Sequence, residues 1–416
     1  MNRLLEDINR QFGFIDLFSG AGGMSTGFLR HGAFRPLFAV DVQAGKPSSG
    51  HGSLECNATY EANIGIPVRE ADLSMYEPEE LLNDARIRTG ELDVLISCAP
   101  CTGFSRTLGR NHLEDDPRNH LVERTGYFVE CLRPKILIME NVRELVHGNF
   151  SIHAENLRRH LNRIGYSFHA SVHVLTEFGL PQTRERAIII ATRDGLPIHT
   201  LGELWQGHCV PRAATTVRHA ISHLPAVSAG QVHPSDPMHV SPSFSREDSL
   251  GRLKAIPHDG GSWADILGLP EADRLLTPRM KQYAEQGDMG SHPDVYGRLW
   301  WDRPCVTIKR ECSHVGNGRY SHPVQDRLCT VRELALLNGF PKNYVFKGSL
   351  SNRYRQIGDA VPPLVSFQIA HLCNWMLTGE KPSLSDALLE GTSVEGVEVM
   401  RAPIRRELFP EAGCTA

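Results

Sequence analysis

Phe14-Ile-Asp-Leu-Phe18, followed at once by Ser19-Gly-Ala-Gly-Gly23, reads as a strand that breaks into a tight glycine turn, after which Met24 to Arg30 start a helix. A parallel strand buried on both faces is a continuous apolar run. Glycines where strand passes into helix let the backbone approach a ligand closely. Working outward, Leu37-Phe-Ala-Val-Asp41 reads as a second strand and Glu70-Ala-Asp-Leu73 closes a short third. Further strands are expected at 93–97, 136–139, 170–175 and 187–191. Strand and helix patterns alternate through about the first 200 residues, which predicts an α/β fold with a doubly wound, mostly parallel sheet.

The glycine spacing narrows the ligand class. Gly20-Ala-Gly22-Gly23 does not fit the dinucleotide pattern G-x-G-x-x-G, because the third position after Gly22 is Ser25. No Gly-Lys-Ser/Thr of a phosphate loop is present either. Asp41 ends the second strand, where a carboxylate can accept from both ribose hydroxyls. Asp72 ends the third element, where it can accept from an adenine amine. The plain alternative for both acids is a solvated loop residue.

The run Cys98-Ala-Pro-Cys101-Thr-Gly-Phe-Ser105 follows the apolar stretch Asp93-Val-Leu-Ile-Ser97. Sheets of this class place their chemistry just beyond the carboxyl ends of such strands, so a Pro-Cys there sets a thiol on a rigid turn. Glu140-Asn-Val142 follows Ile136-Leu-Ile-Met139, and Gln182-Thr-Arg-Glu-Arg186 precedes Ala187-Ile-Ile-Ile190. Together these bring a nucleophile, a carboxylate and two guanidiniums to one sheet rim.

The chain has 416 residues, enough for two domains. No run approaches the ~18 apolar residues of a membrane helix, and the acid-bearing N-terminus lacks a signal-like apolar core, so a cytoplasmic location is expected. The net charge of −4 excludes a coating of basic residues but not a local basic cleft for nucleic acid. Ten cysteines suit reduced thiols better than a disulfide frame. With no second close cysteine pair to complete a zinc site, no metal is expected. Past about residue 200 the rhythm breaks. The stretch 224–262 is loop-dominated, 263–320 has the look of a small domain, and helical patterning returns at 330–337 and 365–377. Gly45-Lys-Pro-Ser-Ser-Gly-His-Gly52 is a flexible insertion after the second strand.

Six motifs stand in one order: Asp16-Leu-Phe-Ser-Gly-Ala-Gly-Gly23, Pro100-Cys-Thr-Gly-Phe-Ser105, Glu140-Asn-Val142, Gln182-Thr-Arg-Glu-Arg186, Arg332-Glu333 with Phe340-Pro341, and Gln356-Ile-Gly-Asp-Ala-Val-Pro-Pro363. That order, from about Phe14 to Leu377, resembles the DNA (cytosine-5) methyltransferases. The resemblance implies an S-adenosylmethionine-dependent, Rossmann-like catalytic domain over 1–200, completed by about 345–380. It further implies a smaller target-recognition domain over 201–344, with a peripheral tail over 381–416. It implies methyl transfer from S-adenosylmethionine to C5 of a cytosine flipped out of duplex DNA, through a covalent bond from Cys101 to C6. Glu140 would hold the N3/N4 edge, Arg186 the O2, and Arg184 would orient the site or meet a phosphate. The cofactor would be held by Asp16, Phe18, Ser19, Gly20, Gly22, Gly23, Asp41, Asp72, Leu73, Pro100, Asp359, Ala360 and Val361. Arg279, Lys281, Arg298, Lys309, Arg310 and Arg319 would meet phosphates and base edges. The partners implied are double-stranded DNA and a cognate restriction endonuclease, with the protein a monomer that acts away from membranes.

The chain departs from the family pattern at Thr102, Asp41 and Asn338, where Gln, Glu and Gln are usual. The fourth departure is Asp359, where the family has Asn; an acid there cannot donate as an amide does. Three other readings remain at this level. A tRNA cytosine-5 methyltransferase would share the motifs, a silent DNA-binding homologue would share the fold, and a nicotinamide dehydrogenase is disfavoured by the glycine spacing.

Overall fold

The computed structural model describes residues 11–44, 52–100, 115–149, 151–244, 247–287 and 294–402. Cys101, most of the insertion after Asp41 and the end of the expected tail lie outside the described residues.

Seven strands form one sheet: β1 (Phe12–Leu17), β2 (Phe34–Asp41), β3 (Arg69–Glu70), β4 (Val94–Ser97), β5 (Ile136–Asn141), β6 (Ser167–Val174) and β7 (Glu185–Thr192). Their order is β3-β2-β1-β4-β5-β7-β6. Strands β1 to β5 run parallel, and β7 runs antiparallel to both of its neighbours. This is the doubly wound, mostly parallel sheet that the sequence predicts. The strand order reverses between β1 and β4, the switch point beyond whose carboxyl ends ligands bind in such sheets.

The apolar runs are continuous because helices cover both faces, and alternate residues sort to opposite sides. Phe14, Val94, Ile96, Ile136, Ile138, Ile188 and Ile190 pack in one core. Ile15, Leu17, Leu95, Leu137, Met139, Ile189 and Ala191 pack in the other. Helices Gly23–His31 and Pro363–Thr378 cover the first side and pack against each other. Helices His120–Leu132 and Ile152–Arg163 cover the second. Gly27 is needed where the first pair cross, since a Cβ there would fall 2.2 Å from the backbone nitrogen of Phe367.

A third core gathers residues from Val217 to Ala360 around Trp263, Leu334, Phe340 and Tyr354. Its membership differs from the expected division of the chain. Leu201, Leu204, Trp205, Val210 and Ala214 pack on the sheet side, whereas Phe346, Tyr354 and Ile357 join the third core. The stretch 224–262 is not all loop: it holds a hairpin of Val232–His233 with Asp236–Val240 and the helix Glu247–Ala255. The stretch expected as a peripheral tail begins inside the sheet-side core, where Ala387, Leu389 and Val394 are buried. It then pairs Met400–Arg401 with His208–Cys209. Apolar side chains spaced between polar ones hid this packing from a reading of composition.

No helix among the described residues is long and apolar enough to cross a membrane. All eight described cysteines are free thiols, in line with the reduced chain expected.

Candidate active site

The first motif places its residues at the carboxyl end of β1. Phe18 (φ 60°), Gly20 (φ 51°) and Gly22 (φ 82°) take left-handed backbone, which bends the chain from strand into helix within five residues. Side chains rarely tolerate that region, and strain of this kind gathers at functional sites. Gly23 is fixed by a close approach, because a Cβ would lie 2.2 Å from the Val361 carbonyl oxygen. The turn is braced from outside. Ser25 Oγ donates to Asp16 at 2.6 Å and lies 2.8 Å from the Tyr60 hydroxyl, while the Tyr344 hydroxyl donates to the Ala21 carbonyl. The helix Gly23–His31 has no side-chain cap, so its first amides face the turn unclaimed.

Two acids close this side. Asp41 ends β2 and accepts from the Gly20 amide at 2.9 Å and the Gln43 amide at 2.6 Å. Burial raises its carboxyl above the ordinary value, while these amides, the Cys56 thiol and the nearby Arg310 charge pull it back. Asp72 is exposed two residues past β3 and accepts from the Ser74 amide at 2.9 Å. Leu73 is buried beneath it, and the Ser19 hydroxyl is buried with no hydrogen-bond partner. Asp16 is 1% exposed, and burial pushes its carboxyl up to about 7 against the opposing bond from Ser25.

The second side forms at the ends of β4 and β5. Glu140 shares a sheet face with Ile136 and Ile138, by the two-residue period of a strand. Its Oε1 lies 3.0 Å from Arg186 Nε, yet this buried oxygen accepts no aligned hydrogen bond. Arg186 reaches the rim because β7 is antiparallel: its start, not its end, meets the carboxyl end of β5. Asn141 was not singled out in the sequence, but it is 2% exposed and donates from Nδ2 to the Ala99 carbonyl at 3.0 Å. It thereby ties the Glu140 motif to the backbone two residues before Cys101. Its signal was its place between Glu140 and Val142. Pro100 is half-buried, and Cys101 itself lies outside the described residues. Packing around the Cys98 sulfur, and then the Glu140 charge, raise that thiol well above its ordinary value. Cys98 is a thiol, not a thiolate, at neutral pH.

Arg184 is 2% exposed, and its guanidinium donates to the Ile308 and Ala360 carbonyls at 3.2 and 3.3 Å. This places the guanidinium among backbone carbonyls rather than at the open surface. Gln182, which opens its motif but had no role assigned from the sequence, accepts from the Ile308 amide and donates to Asn338 Oδ1 at 2.8 Å. Asn338 in turn donates to the Ile357 carbonyl, so that departure from the family pattern has a fitted partner.

Asp359 pairs with Arg310 at 3.2 Å. The protein crowded around Asp359 raises its carboxyl above the ordinary value, although a third of the side chain stays open. Ala360 and Val361 follow, each buried, one in each of two cores. Arg310 also donates to the Ala44 carbonyl and so stands beside the end of the second strand. Two other residues expected at DNA are structural. Arg298 is fully buried, donating to the Leu253, Ile256, His322 and Gln325 carbonyls and pairing with Asp326. Arg319 is 5% exposed, donating to the Gly260 and Arg298 carbonyls and pairing with Asp294. Arg279, Lys281 and Lys309 remain at the surface.

The arrangement offers an amide-lined turn beside two acids on one side, and a carboxylate with a guanidinium on the other. Residues 12–375 match the family model of the C-5 cytosine-specific DNA methylases. The chain is 32% identical over 376 residues to the Type II methylase M.HgiDII of Herpetosiphon aurantiacus, covering 88% of this chain and 96% of that one. It is also 32% identical to the Type II methyltransferase M1.HphI of Haemophilus parahaemolyticus, covering 88% of each. Among solved structures, the Entamoeba histolytica methyltransferase EhMeth superposes with a TM-score of 0.55 at 15% identity, over 89% of this chain and all of that one.

Proposed function

The chain belongs to the C-5 cytosine-specific DNA methylase family, and from that premise we propose that it methylates C5 of a cytosine flipped out of duplex DNA, at a defined recognition sequence. The observation that carries the reading is Glu140 Oε1, buried at the rim beside Arg186 and without an aligned hydrogen bond. A buried acceptor left in this state awaits a donor, and the amino edge of a cytosine supplies one. Arg186 holds the ring oxygen O2 from the same side.

S-adenosylmethionine fits the first half of the site and supplies an electrophilic methyl group when bound. The turn Phe18–Gly23 and the uncapped amides of helix Gly23–His31 would hold its carboxylate end. Asp41 would take the ribose hydroxyls and Asp72 the adenine amino group. The unpartnered Ser19 hydroxyl is a further donor within the turn. Asp16, Leu73, Pro100 and the Asp359–Val361 backbone complete the wall.

Cytosine C5 is a weak nucleophile. The Cys101 thiolate adds to C6, and the electron pair released into the ring makes C5 an enamine carbon that would take the methyl group as the S–CH3 bond of the sulfonium breaks and its electron pair stays on sulfur, leaving a neutral thioether. Glu140 stabilises the charge that develops along the N3/N4 edge during attack. Loss of the C5 proton then expels the thiolate and restores the ring. Asn141 fixes the backbone that leads to Cys101, and Arg184 holds Ile308 and Ala360 so that the small core faces the cofactor wall. A modification enzyme paired with a restriction endonuclease is the setting that the two Type II relatives suggest. The chain acts as a monomer in this reading.

The test offers isotope-labelled S-adenosylmethionine with mixed-sequence duplex DNA or tRNA, and Cys101→Ser alongside. Label entering DNA as 5-methylcytosine, and absent with the variant, is expected. Label in tRNA alone, or undiminished label with Cys101→Ser, overturns the proposal.

A further inference from the structure

On the opposite sheet face from Glu140, the first turns of helices His120–Leu132 and Ile152–Arg163 bring three metal-ligating side chains together. His120 and Glu123 stand three residues apart and so share one helix face. His153 comes from the neighbouring helix. One donor atom from each lies within 4.8 Å of the others. His153 Nδ1 is 2.7 Å and His120 Nδ1 3.9 Å from the same oxygen, Glu123 Oε1. Donors at about 2.0–2.2 Å from a tetrahedral zinc ion stand about 3.3–3.6 Å apart, so these separations bracket what one ion needs.

The groups around the trio are those of a supported site. His153 is 2% exposed, and its Nε2 lies 3.0 Å from both oxygens of Asp115. A ligating histidine commonly gives its second ring nitrogen to a carboxylate in this way, which fixes ring orientation and tautomer. Asn156 Nδ2 donates to Glu123 Oε1 at 3.0 Å, and Asn119 Nδ2 to Asp115 at 2.8 Å. The His120 side chain is two-thirds exposed, so an ion has a path in and a fourth position open to water.

We propose that His120, Glu123 and His153 form a binding site for a divalent transition metal of the zinc class, with Asp115 orienting His153. Two imidazoles and one carboxylate suit zinc and its neighbours better than calcium or magnesium, which prefer all-oxygen shells. Ligands drawn from two helices leave no cysteine-pair spacing in the chain. The ion would pin the helix start at His120 to the helix start at Ile152, and nothing in the proposed chemistry requires it.

The test is direct binding to the full-length, untagged chain after chelator treatment. Zinc is titrated by calorimetry, and cobalt by visible absorption, which reports coordination geometry. One ion per chain is expected, with cobalt bands of a four-coordinate site. His120→Ala and Glu123→Gln should each weaken affinity at least tenfold while leaving the far-ultraviolet dichroism unchanged. Asp115→Asn should weaken it by about ten- to a hundredfold. Absence of saturable binding overturns the proposal, and the cluster is then a histidine held between Asp115 and Glu123 by hydrogen bonds alone. Equal affinity in the His120 and Glu123 variants also overturns it.

Discussion

Asp16 shows how far one residue's setting can move its chemistry. A carboxyl in the unfolded chain ionises near pH 4, at about the ordinary aspartate value, whereas burial pushes that of Asp16 up to about 7. Between those values only the folded chain keeps the proton, so each step up in pH favours unfolding until pH passes about 7. Above that the penalty is constant. Asp16→Asn removes it, and urea unfolding should show the variant gaining on the parent from pH 4 to 7 and holding the gain at pH 8. A pH-independent difference between the two would refute this account. Cys98 makes the complementary case. Its thiol is raised, not lowered, so Cys98→Ser should keep methyl transfer within about threefold while Cys101→Ser loses it, read by labelled transfer to DNA. The sequence already sets Cys101 apart by its Pro-Cys turn; the packing beside Glu140 adds a physical reason to pass over Cys98. Charge is harder to place in one dimension. Arg298 and Arg319 read as phosphate ligands until their burial among carbonyls is seen.

At the scale of elements, the strands were legible because burial on both faces writes itself as apolar runs, and the glycine turn because φ above zero demands glycine at Gly20 and Gly22. The links between elements were not legible, since each joins residues far apart in the chain. Asn141 to Ala99 and Gln182 to Asn338 are such links. Asn141→Ala should lower kcat at least tenfold with little change in cofactor affinity, because it frees the backbone before Cys101 without touching the glycine turn. Equal losses in both quantities would count against a positioning role. The crossing of helices Gly23–His31 and Pro363–Thr378 depends on Gly27, and Gly27→Ala drives a methyl group into the backbone at Ser366 and Phe367. The expected loss is about 1–3 kcal/mol, as for an overpacked core, measured by the denaturation midpoint.

Across the whole molecule, two of the three cores meet along a seam marked by Arg184, Gln182 and the Ala360–Val361 step. The third core is organised on buried charge. Arg327 and Glu333 pair at 2.7 and 2.8 Å with 1% of each side chain exposed, and Glu333 also caps its own helix at Thr330. Glu333→Gln leaves Arg327 as an uncompensated buried charge, which should destabilise the fold by about 3–5 kcal/mol in equilibrium denaturation. A division by composition missed this seam because both sides draw on distant stretches of chain. The same contact that closes the sheet-side core has a consequence for how the protein is made. Ser366 Oγ donates to the Met24 carbonyl across 342 residues, so the helix Gly23–His31 receives its cover only after that much more chain has been made. On a ribosome adding about 5–20 residues per second, its apolar face waits about 20–70 s for its mate. During that interval the nascent chain is a client for whatever chaperone meets it at the exit tunnel.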